Sequence, residues 1–270
     1  MRSNRQVGTL SFLWLVIAGT LGAECRSAVA EAGIVSNPNR PSVSNPADIT
    51  QYGLAEVEYG WMRTWPGAGN RSDLFGGLFR LGMLCDLELR FSADNFLSDW
   101  NGGDRRRGMG DTWAGMQYRF VRQSARLPSM AVSYALKQPT ASAREELGSG
   151  RRDHFLTYLA SKDFGGFHAD FNAAYLLAGR STEPGRDRNV QLALAVSRAL
   201  RGPLGLTGEV YSSSRLNDEN PAYGGTLWAA SYTVNRRLTL DAALDVGLTS
   251  GAPRKRVLAG ATLALGRVYR

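Results

Sequence analysis

The chain is short of cysteine, histidine and lysine, and it holds a single long apolar run. Two cysteines in 270 residues, Cys25 and Cys85, exclude a disulfide framework, so stability has to come from packing and hydrogen bonding. Two histidines, His154 and His168, make no ligand set at the usual spacing of a metal site, and neither a metal nor a cofactor is expected. After residue 21 no apolar stretch reaches bilayer length and mean hydropathy is −0.24, which excludes a helical membrane protein. That absence does not touch a strand barrel, whose segments alternate between lipid and lumen and so keep average hydropathy low. Lysine is confined to Lys137, Lys162 and Lys255, so arginine carries nearly all of the positive charge behind the formal +8.

The one apolar run lies at 10–21, after Arg2 and Arg5 and before Ala28-Val29-Ala30. This is the layout of a secretory signal peptide with cleavage expected after Ala30. A lipoprotein reading around Cys25 competes, but Glu24 stands where that processing site wants a small residue. Cleavage would remove Cys25 and leave Cys85 alone, on an apolar face, as a small hydrophobe. Residues 31–50 are rich in Ser, Asn, Pro and Ala without periodicity and read as a flexible periplasmic lead-in; 51–270 read as one domain.

From about Tyr52 the dominant signal has period two. Cys85, Leu87, Leu89, Phe91 and Ala93 alternate with Asp86, Glu88, Arg90, Ser92 and Asp94. Phe167, Ala169, Phe171, Ala173 and Tyr175 alternate with His168, Asp170 and Asn172, and Leu238, Leu240, Ala242 and Leu244 with Thr239, Asp241 and Asp245. A helix would mix these sets around its circumference, whereas a strand sorts them onto two faces. Segments of this kind predict an all-β fold, a transmembrane up-and-down antiparallel β-barrel of about twelve strands, each about ten residues long. The links alternate as such a barrel requires: short near 82–83, 163–166, 201–203 and 235–237, with a longer one at 121–128, against long loops at 63–71, 95–110, 138–152, 179–187, 213–223 and 249–255. Aromatics at Tyr52, Trp61, Phe120, Phe164, Phe167, Tyr175 and Tyr269 fall near strand ends, where interface girdles form. A soluble sandwich or lipocalin-like barrel would alternate too, with its apolar side facing a core.

The central segment carries a further pattern: Val132-Ser133-Tyr134-Ala135-Leu136-Lys137-Gln138-Pro139-Thr140, then Gly148-Ser149-Gly150, Asp153, and Ser161-Lys162-Asp163-Phe164-Gly165-Gly166. This resembles the outer-membrane family labelled for the meta-pathway of phenol degradation, and the closing 232–241 segment is similar to that family's final hairpin. The resemblance implies a small-molecule channel of the outer membrane, with aromatic substrates, and no catalytic residues.

The polar face supplies the candidate pore lining: Glu56, Glu58, Asp86, Glu88, Arg90, Arg119, Lys137, His168, Asp170, Asn172, Asp241 and Asp245. Such charges can line a pore and set a field across it, or pair with one another and fill the lumen; both readings stay open. Arg105, Arg106 and Arg107, with Arg151 and Arg152, lie in the predicted long loops and are candidate contacts for lipopolysaccharide phosphates or anionic solutes. An exported barrel meets outer-membrane lipid, solutes and the barrel-assembly machinery, and no nucleic acid. With no plug-sized insertion between strands, the expected function is passive diffusion of small solutes, aromatic or anionic ones among them. A structural, lipopolysaccharide-binding barrel is the alternative. An outer-membrane lipid hydrolase is a third, for which neither histidine has a matched serine.

Overall fold

The computed structural model describes residues 33–269 apart from 68, 143, 144, 146 and 182. The expected signal peptide, the cleavage point and Cys25 lie outside the described residues. Thirteen strands follow one another: β1 (Leu54–Gly67), β2 (Asn70–Gly82), β3 (Leu87–Asn101), β4 (Asp104–Gly108), β5 (Thr112–Val121), β6 (Ser129–Gln138), β7 (His154–Phe164), β8 (Phe167–Gly179), β9 (Arg186–Ala199), β10 (Leu204–Ser213), β11 (Tyr223–Asn235), β12 (Leu238–Gly247) and β13 (Lys255–Arg267).

Neighbours in sequence pair antiparallel except β4 and β5, β5 pairing with β3 instead; β1 closes on β13, and β2 pairs with β3, so the sheet returns on itself. Closure removes the unpaired strand edge that a bilayer cannot tolerate. β3 carries two partners on one side, β5 along its base and β4 along its outer end. The barrel therefore has twelve strands and one extra, as the period-two reading predicted.

Two predicted loops are corrected. The stretch at 95–110 is the β3–β4 hairpin, turning at Gly102 and Gly103, whose φ values of 59° and 103° suit glycine. Likewise 63–71 is mostly strand, with β1 running to Gly67 and β2 starting at Asn70. Charged side chains on these extensions hid the alternation that marks the rest. Cys85, expected on an apolar strand face, lies in the 83–86 turn between β2 and β3.

Parity decides which face is which. On β9, Val190, Leu192, Leu194 and Val196 are exposed, Leu192 at 44%, while Ala193 and Ala195 between them are 6% and 2% exposed. The large apolar side chains thus point away from the barrel axis and the small and polar ones toward it, the reverse of a soluble barrel. A belt of this extent is stable only against hydrocarbon.

Both ends of the barrel chain meet at one rim, where Leu54 pairs with Arg267. The links at 83–86, 122–128, 165–166, 200–203 and 236–237 lie at this terminal rim. β13 stops at Arg267, and Tyr269 folds across the rim beyond it. Its hydroxyl donates to the carbonyls of Gly82 and Met83 at 2.8 Å each, and its ring sits edge-on to Tyr52 with centroids 5.3 Å apart. The described residues of the links at 102–103, 139–153, 180–185, 214–222 and 248–254 form the far rim, with Gly69 beside them.

Candidate functional site

The lumen is occupied, and the occupant is the segment that precedes β1. Pro38, Pro41 and Pro46 lack N–H groups and hold their predecessors extended, so this stretch cannot pair internally. Its remaining backbone N–H groups must find partners elsewhere. Inward side chains of the barrel provide them. Glu56 accepts from Asn37 N at 2.8 Å, Glu58 from Asn39 N at 2.8 Å, and Glu88 from Thr50 N at 2.7 Å. Glu209 takes two in bidentate fashion, from Val43 N at 2.7 Å and Ser44 N at 2.6 Å. Asn172 accepts from Asn45 N at 2.8 Å and Ser161 from Ala47 N at 2.7 Å.

These contacts trace the path. The segment enters at the terminal rim, where Ser36 N donates to Arg236 O at 2.8 Å, and climbs along β1 to Arg40. It crosses to β10 and β8, then descends past β7 and β5 into β1. At the crest, the inward faces of Gly60 and Gly260, paired across β1 and β13, make room for the Arg40 guanidinium; a Cβ on Gly60 would fall 2.2 Å from it. Arg40 also reaches Asp241 at 3.4 Å and donates to the carbonyl of Ala259 at 3.2 Å. The segment read as a flexible lead-in is thus an internal plug along its described residues, and its own extended, proline-spaced backbone is the reason.

Arg80, fully buried on β2, sits beneath it. The guanidinium contacts Glu56, lies 2.8 Å from Glu58 and 3.6 Å from Glu88, and donates to Asn39 Oδ1 at 3.1 Å and to the carbonyl of Asn37. One cation so holds three carboxylates at the height where they grip the segment. Sequence reading missed Arg80 because Leu78, Phe79, Arg80 and Leu81 show no alternation; the available signal was one arginine in an apolar run opposite a set of unpaired inward acids. Glu209 was missed as well.

The predicted lining residues are brought to the inner face in separate groups. Glu56, Glu58, Glu88 and Asn172 bind the plug. Arg90 donates to Gln117 at 2.7 Å, and Gln117 in turn donates to the carbonyls of Pro46 and Ala47. Arg119 bridges Asp86 at 2.9 Å and the plug's Asp48 at 2.7 Å. Asp86 lies in the 83–86 turn rather than on a strand. Burial opposes its ionisation, but hydrogen bonds from Arg122 and Arg119 outweigh that and hold its carboxyl below the usual aspartate range. His168 is clamped between Asp163 at 2.6 Å and Asp170 at 3.0 Å, and His154 faces the Tyr134 hydroxyl at 2.7 Å; neither imidazole bonds a serine hydroxyl. Asp245 accepts from Tyr211 at 2.7 Å and pairs with Arg256 at 3.5 Å.

Lys137 sits higher, between Asp153 at 2.6 Å and Asp111 at 3.2 Å, and donates to Ser149 at 3.0 Å. Three members of the sequence pattern described above, Lys137, Ser149 and Asp153, converge here and fasten the 139–153 loop at the far rim. Arg105, Arg106 and Arg107 lie on β4 and are exposed, as are Arg151 and Arg152 just before β7.

Open space remains on both sides of the plug. A cavity of about 660 Å³ opens between the segment and His168, Asp170, Ser197 and Thr239 toward the terminal rim. A second, of about 290 Å³, lies between the crest and Met62, Leu74 and Asp94.

Together the closed strand ring, outward apolar belt and hydrogen-bonded interior define an outer-membrane-type β-barrel with an internal plug. Two solved structures match the barrel fold. The COG4313 outer membrane channel from Pseudomonas putida F1 matches with a TM-score of 0.65 at 12% identity, over 88% of this chain and 100% of that chain. The NanC porin matches with a TM-score of 0.52 at 10% identity, over 78% of this chain and 100% of that chain. At such identities the likeness is one of fold. No family model matches the chain, and no curated protein matches it.

Proposed function

We propose that this protein is a non-enzymatic outer-membrane channel for small solutes, with residues 33–50 limiting passage. The observation that carries the reading is a polar lumen with cavities on either side of a segment attached by hydrogen bonds to single side chains rather than by a continuous strand ladder. In this reading the terminal rim faces the periplasm and the far rim, with its longer loops, faces outward. The pattern around Lys137 and the channel architecture of the two fold neighbours support small organic solutes, aromatic ones included. Arg40, Arg90 and Arg256 on the inner side favour solutes that carry a carboxylate.

The experiment is reconstitution of the mature chain in planar bilayers and in liposomes, beside a chain lacking 33–50. Swelling with a panel of aromatic acids, sugars and amino acids identifies the solute class. The expected result is low conductance for the intact chain and a large, stable conductance for the shortened one. Equal and negligible flux from both would leave a structural barrel as the better reading.

A further inference from the structure

Many strands of the barrel are longer than the bilayer needs, among them three neighbours. β1, β2 and β3 have 14, 13 and 15 residues, where about ten suffice for a tilted crossing. Their excess projects at the far rim, and its outward face changes character there. Nearer the middle, outward positions are apolar: Val57 and Tyr59 on β1, Phe75 and Phe79 on β2, Phe91 and Phe96 on β3, Ala261 on β13. Beyond them the same face presents Trp61, Arg63 and Trp65 on β1, Arg71 and Asp73 on β2, Trp100 on β3, Arg105 and Arg107 on β4, and Lys255 on β13.

These side chains are organised. Asp73 is consumed internally, accepting from Arg63 at 2.7 and 3.0 Å and from the Trp61 indole at 2.9 Å. The guanidiniums of Arg71 and Arg105 both lie over the Trp100 ring, 4.5 and 5.0 Å from its centroid, and the Lys255 ammonium lies 4.6 Å from that of Trp65. Among the described residues no carboxylate lies within 4.0 Å of the Arg71, Arg105 or Lys255 charge, although Asp73 interacts with Arg71 at longer range, and the Arg71 Nε is buried without a hydrogen-bond partner. Trp100 stands opposite Arg71 on one neighbouring strand and Arg105 on the other, so two cations gather around one indole and favour an anion beside them.

We propose that this face binds the phosphate-bearing headgroup of an outer-leaflet glycolipid of the lipid A type. Arg71, Arg105 and Lys255 take the phosphate, Trp65 and Trp100 fix the cations at headgroup height, and the Phe75–Phe96 pair beneath, centroids 6.3 Å apart, meets the acyl chains. The proposal rests on the membrane orientation given above. It places the contact on the strand face, at Arg71, Arg105 and Lys255, whereas Arg151 and Arg152 lie in a loop and have no part in it.

The test titrates the full mature chain, folded in detergent micelles, with bisphosphorylated lipid A and with the same lipid after phosphate removal, read by native mass spectrometry and tryptophan fluorescence. The triple variant Arg71→Gln, Arg105→Gln, Lys255→Gln is expected to bind lipid A about tenfold more weakly or worse, while Arg151→Gln with Arg152→Gln binds as the parent. The single Arg105→Gln, exposed on the extra strand, provides the same comparison with less risk to folding and is expected to weaken binding about threefold. Equal binding by parent and variants, equal binding of phosphorylated and dephosphorylated lipid, or full displacement by millimolar inorganic phosphate would each overturn the site. A chain that stays soluble without detergent would instead sink the membrane reading itself.

Discussion

Replacing Glu209 by glutamine changes one atom's chemistry at the crest of the plug and leaves its shape alone. In the parent, both carboxylate oxygens accept backbone N–H groups, those of Val43 and Ser44, in a setting only 2% exposed. Glutamine keeps one acceptor and turns an NH2 toward the other N–H. One charge-assisted hydrogen bond is lost, worth about 1.5–3 kcal/mol, and a buried donor is left facing a donor, at about 1–3 kcal/mol more. Taking about 3 kcal/mol for the pair, the ratio of displaced to seated plug rises by roughly a hundredfold. Single-channel recording in planar bilayers reads that ratio as the fraction of time at the conductance of the chain lacking 33–50. Expected is a variant that visits the large conductance often and a parent that visits it rarely. If Glu209→Gln and the shortened chain both conduct as the parent does, the segment is not what limits passage, and the reasoning fails at that step.

Gly60→Val should unseat the crest by a different route, because its side chain would occupy the volume of the Arg40 guanidinium; the same recordings should show raised open time without any change in lumen charge. Arg80→Met leaves Glu56 and Glu58 buried without their cation and Glu88 with Arg90 alone at 3.6 Å, at a cost of about 3–5 kcal/mol, visible as a lower temperature of heat-modified gel migration. Lys137→Met should release the 139–153 loop and make it a proteolysis site while barrel thermal stability changes little. Asp86, whose folded pKa lies below the unfolded value near 4, contributes stability that is fully present above about pH 4 and lost as pH falls through the folded value. Unfolding curves from pH 6 to pH 2 should therefore show an acid-side loss in the parent that Asp86→Asn lacks, the variant being less stable at pH 6.

The period-two alternation along 85–94, 167–177 and 238–246 was enough to specify strands, their number to within the extra β4, and the polar inner face, because a pleated chain sorts odd and even side chains whatever they later touch. The same rule placed Glu56, Glu58, Glu88, Asn172 and Asp241 on the inner wall. It failed at 63–71 and 95–110, where charges on the outward face beyond the membrane imitate loops, and at Arg80, where an apolar run conceals parity. Where residues 33–50 lie was decided only by tertiary structure. Their prolines declare that the segment cannot satisfy its own backbone, but the acceptors are scattered from Glu56 to Glu209, far apart in sequence and brought to one lumen by closure of the sheet. Parity reports which way a side chain points; whether it meets water or another stretch of the same chain depends on what occupies the space enclosed.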